Sequence, residues 1–294
     1  MMNTKRYSAI SEIIKNADAI LIGAGAGLST AAGVNYGPKG FKERFRELVD
    51  NYGFTDMYTS SFYNFKTQEE KWSYWAKHID YLCIGMDASN TYKKIFDIVK
   101  QKEYFVITTN VDEQFLKAGF DEDRVFQIQG SLRKIQCSVA CHGKLYDDTE
   151  MINKMLKENK DIRIPTKLVP ICPVCKGTMD VNLRKDEYFV EDDYWKYHNE
   201  KYERFINNNS NKKLLLIELG AGFNTPGIIR FPFESMTYQF KNAFLIRVND
   251  KNASINKEIE HKALSIKCDI NEFIDNVKKN KFFRVKIIIE VCYG

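Results

Sequence analysis

Apolar residues change period several times along the chain, and these changes mark out its elements. In Ser8–Ala17, Ile10, Ile13, Ile14 and Ala17 recur at helical spacing and predict a short amphipathic helix. Ala19–Ile22 is a continuous apolar run, as expected of a buried strand, and it leads straight into Gly23, Gly25 and Gly27 with an Ala/Ser/Thr-rich stretch behind them. Helical spacing returns in Phe41–Tyr52 (Phe41, Phe45, Leu48, Val49), Lys66–Cys83 (Trp72, Trp75, Ile79, Leu82) and Ser89–Lys100 (Tyr92, Ile95, Phe96, Val99). Three helical stretches with no strand between them predict an inserted helical module, its Trp and Phe stripes forming core. Strand-like runs resume at Tyr104–Thr108, Val125–Ile128, Leu214–Glu218, Ala243–Val248 and Leu264–Lys267. Together with Ala19–Ile22 they give the pattern of an α/β layer fold with a mostly parallel sheet. Asn207–Asn211 reads as an exposed loop, and Phe282–Val291 as either an added edge strand or a packed tail.

Composition narrows the class. The 294 residues, 44% hydrophobic and 28% charged, suit a soluble globular protein of one large or two smaller domains. A net charge of +5 with scattered Lys and Arg gives no support to a nucleic-acid partner. No apolar run approaches the roughly 20 residues of a membrane helix, and the start lacks a signal-peptide core, so the expected compartment is the cytoplasm, with no membrane partner. There disulfides rarely persist, and the seven cysteines read as metal ligands or plain thiols.

Four of those cysteines form two knuckles, Cys137-x3-Cys141 and Cys172-x2-Cys175. Two converging pairs of thiolates complete a closed, structural zinc site with no position left for water, His142 being a competing ligand. The strand-to-glycine-turn-to-helix order of Asp18–Gly33 suits a phosphate cradle, because glycine lets backbone approach a pyrophosphate and a helix start offers unpaired N–H groups. The plainer alternative is a tight turn. Thr108-Thr109-Asn110-Val111-Asp112 ends the second strand, where Asn110 offers an amide and Asp112 a carboxylate, although Asp112 also suits a helix N-cap. Gly220-Ala221-Gly222-Phe223-Asn224-Thr225 ends the fourth strand, Asn249-Asp250 the fifth and Cys268-Asp269 the sixth. A ligand long enough to touch all of these is a dinucleotide.

The order GAGAGLS, TTNVD, a Gly after the third strand, C-x3-C…C-x2-C, GAG and RVN resembles the sirtuins over nearly the whole chain. The resemblance implies a Rossmann-like, doubly wound parallel sheet (residues 1–35, 101–132 and 186–294). It also implies a small domain made of a helical module (36–100) and a zinc-binding module (133–185). It further implies NAD+ as co-substrate, its nicotinamide–ribose bond cleaved between the two domains. The implied NAD contacts are Gly23, Ala24, Gly25, Leu28, Ser29, Asn110, Asp112, Gln129, Gly220, Ala221, Gly222, Asn224, Thr225, Asn249, Cys268 and Asp269.

Departures from the usual family pattern are equally specific. Gln129-Gly130 stands where sirtuins have His-Gly, Thr109 replaces the Gln of their TQN-D motif, and Asn35-Tyr36-Gly37 replaces Pro-Asp-Phe-Arg. The stretch that usually ends Phe-Gly-Glu and pairs with acyl-lysine peptides reads Arg184-Lys185-Asp186-Glu187-Tyr188-Phe189-Val190-Glu191. An amide has no proton affinity useful near pH 7, so Gln129 can hold a ribose hydroxyl but cannot act as its base. His142-Gly143 sits beside a zinc ligand and is no substitute. This set resembles the macrodomain-linked, class M sirtuins of microbial pathogens. That likeness implies a protein ADP-ribosyltransferase linked to the oxidative stress response. Its implied substrate is a lipoylated carrier resembling the glycine cleavage H protein, paired functionally with a macrodomain hydrolase. Asn110, Gln129 and Arg184 are the implied active-site residues, with Arg184 steering an acidic acceptor or a phosphate, or else a plain surface arginine. A residual lysine deacylase and a catalytically silent NAD or ADP-ribose sensor are the alternatives.

Overall fold

The computed structural model describes residues 2–34 and 38–280. In chain order it runs α1 (Met2–Asn16), β1 (Ala19–Ala24), α2 (Ala26–Ala31), α3 (Pro38–Arg44), α4 (Arg46–Tyr52), α5 (Met57–Ser60), α6 (Gln68–Ile79) and α7 (Asn90–Val99). There follow β2 (Glu103–Thr108), α8 (Gln114–Lys117), β3 (Val125–Gln127), β4 (Gly130–Cys137), β5 (Tyr146–Asp147), α9 (Thr149–Glu158), β6 (Met179–Leu183) and α10 (Asp193–Asn209). The series closes with β7 (Leu214–Leu219), α11 (Arg230–Gln239), β8 (Phe244–Val248) and β9 (Ala263–Ile266), with a further helix over 270–280.

All six apolar runs become strands of one parallel sheet ordered β3-β2-β1-β7-β8-β9. β1 is central, Ala19–Ala24 lying in register with Glu103–Thr108 on one side and Leu214–Leu219 on the other. Both faces of β1 are buried, Ile20 and Ile22 in one core and Ala19 and Leu21 in another, which is why these strands read as unbroken apolar runs. Strand order reverses between β1 and β7. At such a switch point, sheets of this kind bind ligands in the crevice outside the carboxyl ends of their strands.

A second, antiparallel sheet, β5-β4-β6, fills the excursion after β3. Its Leu132, Ile135 and Val181 share a core with Phe41, Trp72 and Trp75, so the helical and cysteine-bearing stretches form one small domain. Two local readings differ from this structure. Tyr92, Ile95 and Val99 of α7 pack on the parallel sheet with β1 and β2, not in the core that α3–α6 share with the second sheet. Asn207–Asn209 is the last turn of α10, where Asn209 is fully buried and donates to Glu103 Oε1 (3.0 Å) and to the Phe205 carbonyl (2.8 Å). Asn35-Tyr36-Gly37 and Phe282–Val291 lie outside the described residues.

Candidate functional site

At the crevice the two glycine turns meet backbone to backbone. Gly27 N–H donates to the Gly220 carbonyl (3.0 Å) and Gly25 N–H to that of Leu219 (3.0 Å). A Cβ on Gly25 would lie 2.7 Å from Ala221 Cα, and one on Gly27 equally close to Gly220 Cα. Gly220 itself has φ +65°. No side chain fits between the turns, so the sequence needs glycine on both. Asn249, after β8, supports this pair by donating to the Ala221 carbonyl (3.0 Å). Arg247 of the RVN motif is wholly buried and braces the strands beneath, with two bonds of 2.8 Å to Glu218.

The TTNVD segment is hydrogen-bonded to the first turn. Asn110 Nδ2 donates to the Gly25 carbonyl (3.0 Å) and to Tyr92 Oη (3.3 Å). With both amide hydrogens committed to protein, its Oδ1 is the atom left for a ligand. Asp112 Oδ2 accepts from Ser29 Oγ (2.6 Å) and Tyr92 Oη (3.0 Å), while its Oδ1 accepts from Gln114 N–H (3.1 Å). Asp112 therefore ties α2 to α7, and its bond to Gln114 N–H lies just ahead of α8, where Glu113 and not Asp112 holds the N-cap position. Burial pushes its carboxyl above the usual range, against the pull of Ser29, Gln114 and Tyr92.

Gln129 sits half-buried in the turn between β3 and β4, and its carbonyl accepts the Arg184 N–H (2.9 Å). Gly130 follows with φ +92°, and a Cβ there would lie 2.2 Å from the Asn182 carbonyl oxygen and 2.8 Å from the Phe189 ring. Arg184 does not stand free as a steering cation. Its guanidinium bonds Glu191 (2.5 Å) and stacks on the Phe189 ring, 4.2 Å from the centroid. Asn224 and Thr225 are exposed, Cys268 lies against Tyr7 of α1, and Asp269 caps the helix that begins at Ile270.

Both cysteine knuckles converge. Cys137 and Cys175 sulfurs are 3.6 Å apart, as are those of Cys141 and Cys172, and all four lie within 4.8 Å of one another. Zn–S bonds of about 2.3 Å in a tetrahedron put sulfurs about 3.8 Å apart, so the cluster fits zinc. Burial opposes ionisation of Cys172, but the Cys175 and Val174 N–H groups together with the neighbouring Cys141 and Cys175 thiols outweigh it and bring the thiol down to about 6. His142 lies beside the cluster, Nδ1 at 3.1 Å from Cys141 Sγ, with Nε2 3.0 Å from Tyr146 Oη.

A model of the Sir2 family matches residues 25–223. The chain is a sirtuin. A protein ADP-ribosyltransferase of Staphylococcus aureus is 33% identical over 278 residues, spanning 94% of this chain and 88% of its own. A probable bifunctional ADP-ribose hydrolase/ADP-ribosyltransferase of Fusarium oxysporum is 29% identical over 78% of this chain and 40% of its own length. Among solved structures, Sir2Tm bound to a propionylated peptide superposes with a TM-score of 0.58 at 18% identity, covering 93% of this chain and 97% of the other. Sirtuins use NAD+ as co-substrate, and the side-chain-free meeting of the two glycine turns beside Asn110 Oδ1 suits it.

Three residues of this sirtuin site escape a reading by motif. Tyr92 looked like one more apolar position on an amphipathic helix, yet its hydroxyl links Asn110 and Asp112; a tyrosine on a fully buried stripe is the available signal, since its hydroxyl needs a partner. Gln136 holds the stretch after β6, accepting from Val190 N–H (3.0 Å) and donating to the Tyr188 carbonyl (2.7 Å). Glu113 is the third.

Proposed function

We propose that this sirtuin is an NAD-dependent protein ADP-ribosyltransferase that releases nicotinamide and modifies a protein acceptor. The acceptor proposed is a lipoylated carrier resembling the glycine cleavage H protein, in the cytoplasm, in the response to oxidative stress, with a macrodomain hydrolase removing the mark. NAD supplies the ADP-ribosyl group and the bond to nicotinamide that breaks. The chain's part is to position and to stabilise charge. Asn110 Oδ1 and the Asp112 network orient the nicotinamide end, and the Gln129 amide holds ribose hydroxyls without taking a proton. Arg184, fixed by Glu191 and Phe189, supports the turn that carries Gln129 through its N–H.

The observation that carries this reading is Gln129 at the β3–β4 turn, a neutral amide where a deacylase needs a base; the transferase names of two relatives support it. Intact-mass analysis of the lipoylated carrier incubated with NAD tests it. An NAD-dependent gain of ADP-ribose, lost in Asn110→Ala, is expected. Loss of the acyl group from an acyl-lysine peptide, with no change in the carrier, would establish a deacylase instead.

A further inference from the structure

Glu113, directly after Asp112, has a left-handed backbone, φ 58° and ψ 8°. Glycine adopts this conformation freely and a residue with a Cβ does not, so the glutamate is held there by its side chain's bonds or by its surroundings. The side chain is bonded on both sides of one turn. Glu113 Oε1 accepts from Ser131 Oγ (2.7 Å) and from Gln127 Nε2 (3.1 Å). Those donors flank Gln129, one ending β3 and the other just inside β4. Elsewhere the same turn is held through its main chain. The Gln129 carbonyl accepts from Arg184 N–H (2.9 Å), and that of Ile128 from the Trp195 indole (3.1 Å).

We infer that Glu113 is a positioning residue for Gln129, its carboxylate clamping together the two ends of the turn that carries the amide. This rests on the reading of Gln129 given above. The clamp needs an acceptor oxygen with two lone-pair directions at the end of a side chain of this length, which explains a glutamate at a position whose backbone favours glycine. Because the bonds use only acceptor capacity, a glutamine amide oxygen can replace the carboxylate, whereas Ala and Gly cannot.

Three variants separate the clamp from a scaffold role. Glu113→Gly relieves the backbone and removes the clamp, so its melting temperature should equal or exceed that of the native protein. Nicotinamide release should nonetheless show kcat reduced by about 10–10²-fold, with the KM for NAD little changed, since misplacement by about 1 Å costs on that order. Glu113→Ala should match that kcat at a lower melting temperature, and Glu113→Gln should restore turnover. Hydrogen exchange over 127–131 should quicken in the Gly and Ala variants and stay native in Gln. Native kcat in Glu113→Gly, or unchanged exchange over 127–131, overturns the inference. Gln129→Ala measured alongside keeps the two claims apart. Native turnover in that variant would refute the role given to Gln129, while the exchange data would still decide whether Glu113 holds the turn.

Discussion

Changing Tyr92 to Phe deletes one oxygen from the middle of the Asn110–Asp112 network. The ring stays packed edge-on against Phe115, centroids 4.8 Å apart, so no cavity larger than the hydroxyl forms. The hydroxyl's bonds are lost, among them the 3.0 Å donation to Asp112 Oδ2, the 3.3 Å acceptance from Asn110 Nδ2 and a long 3.5 Å contact with Ser29 Oγ. Neither Asp112 nor Asn110 is orphaned, since Asp112 keeps Ser29 and Gln114, and Asn110 keeps the Gly25 carbonyl. The expected loss of stability is therefore about 2 kcal/mol, within the range for a hydrogen bond to a carboxylate. Function should suffer separately. Asn110 retains one anchor of two, and a looser Oδ1 should slow nicotinamide release by about tenfold, equivalent to about 1.4 kcal/mol. Urea unfolding gives the first quantity and steady-state turnover at a temperature where the variant is fully folded gives the second. A variant that loses stability but turns over NAD at the native rate would show that Tyr92 only packs, and that the network does not set Asn110.

Metal analysis should find about one zinc per chain, and chelation should unfold the β4–β6 sheet by circular dichroism; folded protein without zinc would refute the structural site. The Asp148 carboxyl, fully buried and 3.0 Å from Arg133, is pushed from 3.8 up to about 6 by burial, against the pull of Arg133. Folded protein then binds more proton than unfolded between about pH 4 and 6, so stability falls as pH rises through that window, by about 3 kcal/mol from this group. Urea midpoints for Asp148→Asn should lack that fall, and an unaltered pH slope would exclude Asp148 as its source. Gln129→His should not yield an efficient deacylase, because a base contributes about 10²–10⁴-fold only when the acyl group is held within reach. Robust NAD-dependent deacylation of acyl-lysine peptides by this variant would place the whole change of chemistry in one residue.

The parallel sheet was legible because both faces of its strands are buried, which leaves unbroken apolar runs that stand out from everything around them. The cysteine knuckles were legible because each pair is local in sequence. The antiparallel sheet was not. β4 and β6 carry mixed polar and apolar residues and lie on either side of the cysteine excursion, so no short window contains the pairing of Gly130 with Leu183 or Cys137 with Met179. Helix α10 also gave little signal, since only His198, Phe205 and Asn209 of its 17 residues are buried and its apolar stripe is thin. Its last turn reads Asn-Asn-Asn, a loop by composition, and is helical because Asn209 finds partners in Glu103 and Phe205. Tyr92 and Glu113 were missed for a common reason. Periodicity places a residue on a face, whereas their roles depend on one oxygen meeting groups from distant segments.

The two departures from the sirtuin pattern that bear on chemistry, Gln129 and the stretch after β6, are not independent changes. Arg184 N–H bonds the Gln129 carbonyl, and Phe189 packs where a Cβ on Gly130 would stand, so the stretch forms the outer support of the turn that carries the amide. Gln136 fixes the stretch in turn, through Tyr188 and Val190, and Glu191 closes it on Arg184. Main-chain groups at Tyr188 and Val190 are thereby committed to this chain's own side chain. A peptide strand pairing along the same edge would have to displace Gln136, which is buried and makes three hydrogen bonds in place. Gln129 and the committed main chain of the stretch after β6 therefore belong to one connected unit. Under the proposed function, a folded protein acceptor, which presents a side chain without adding a strand, fits that unit without displacing Gln136.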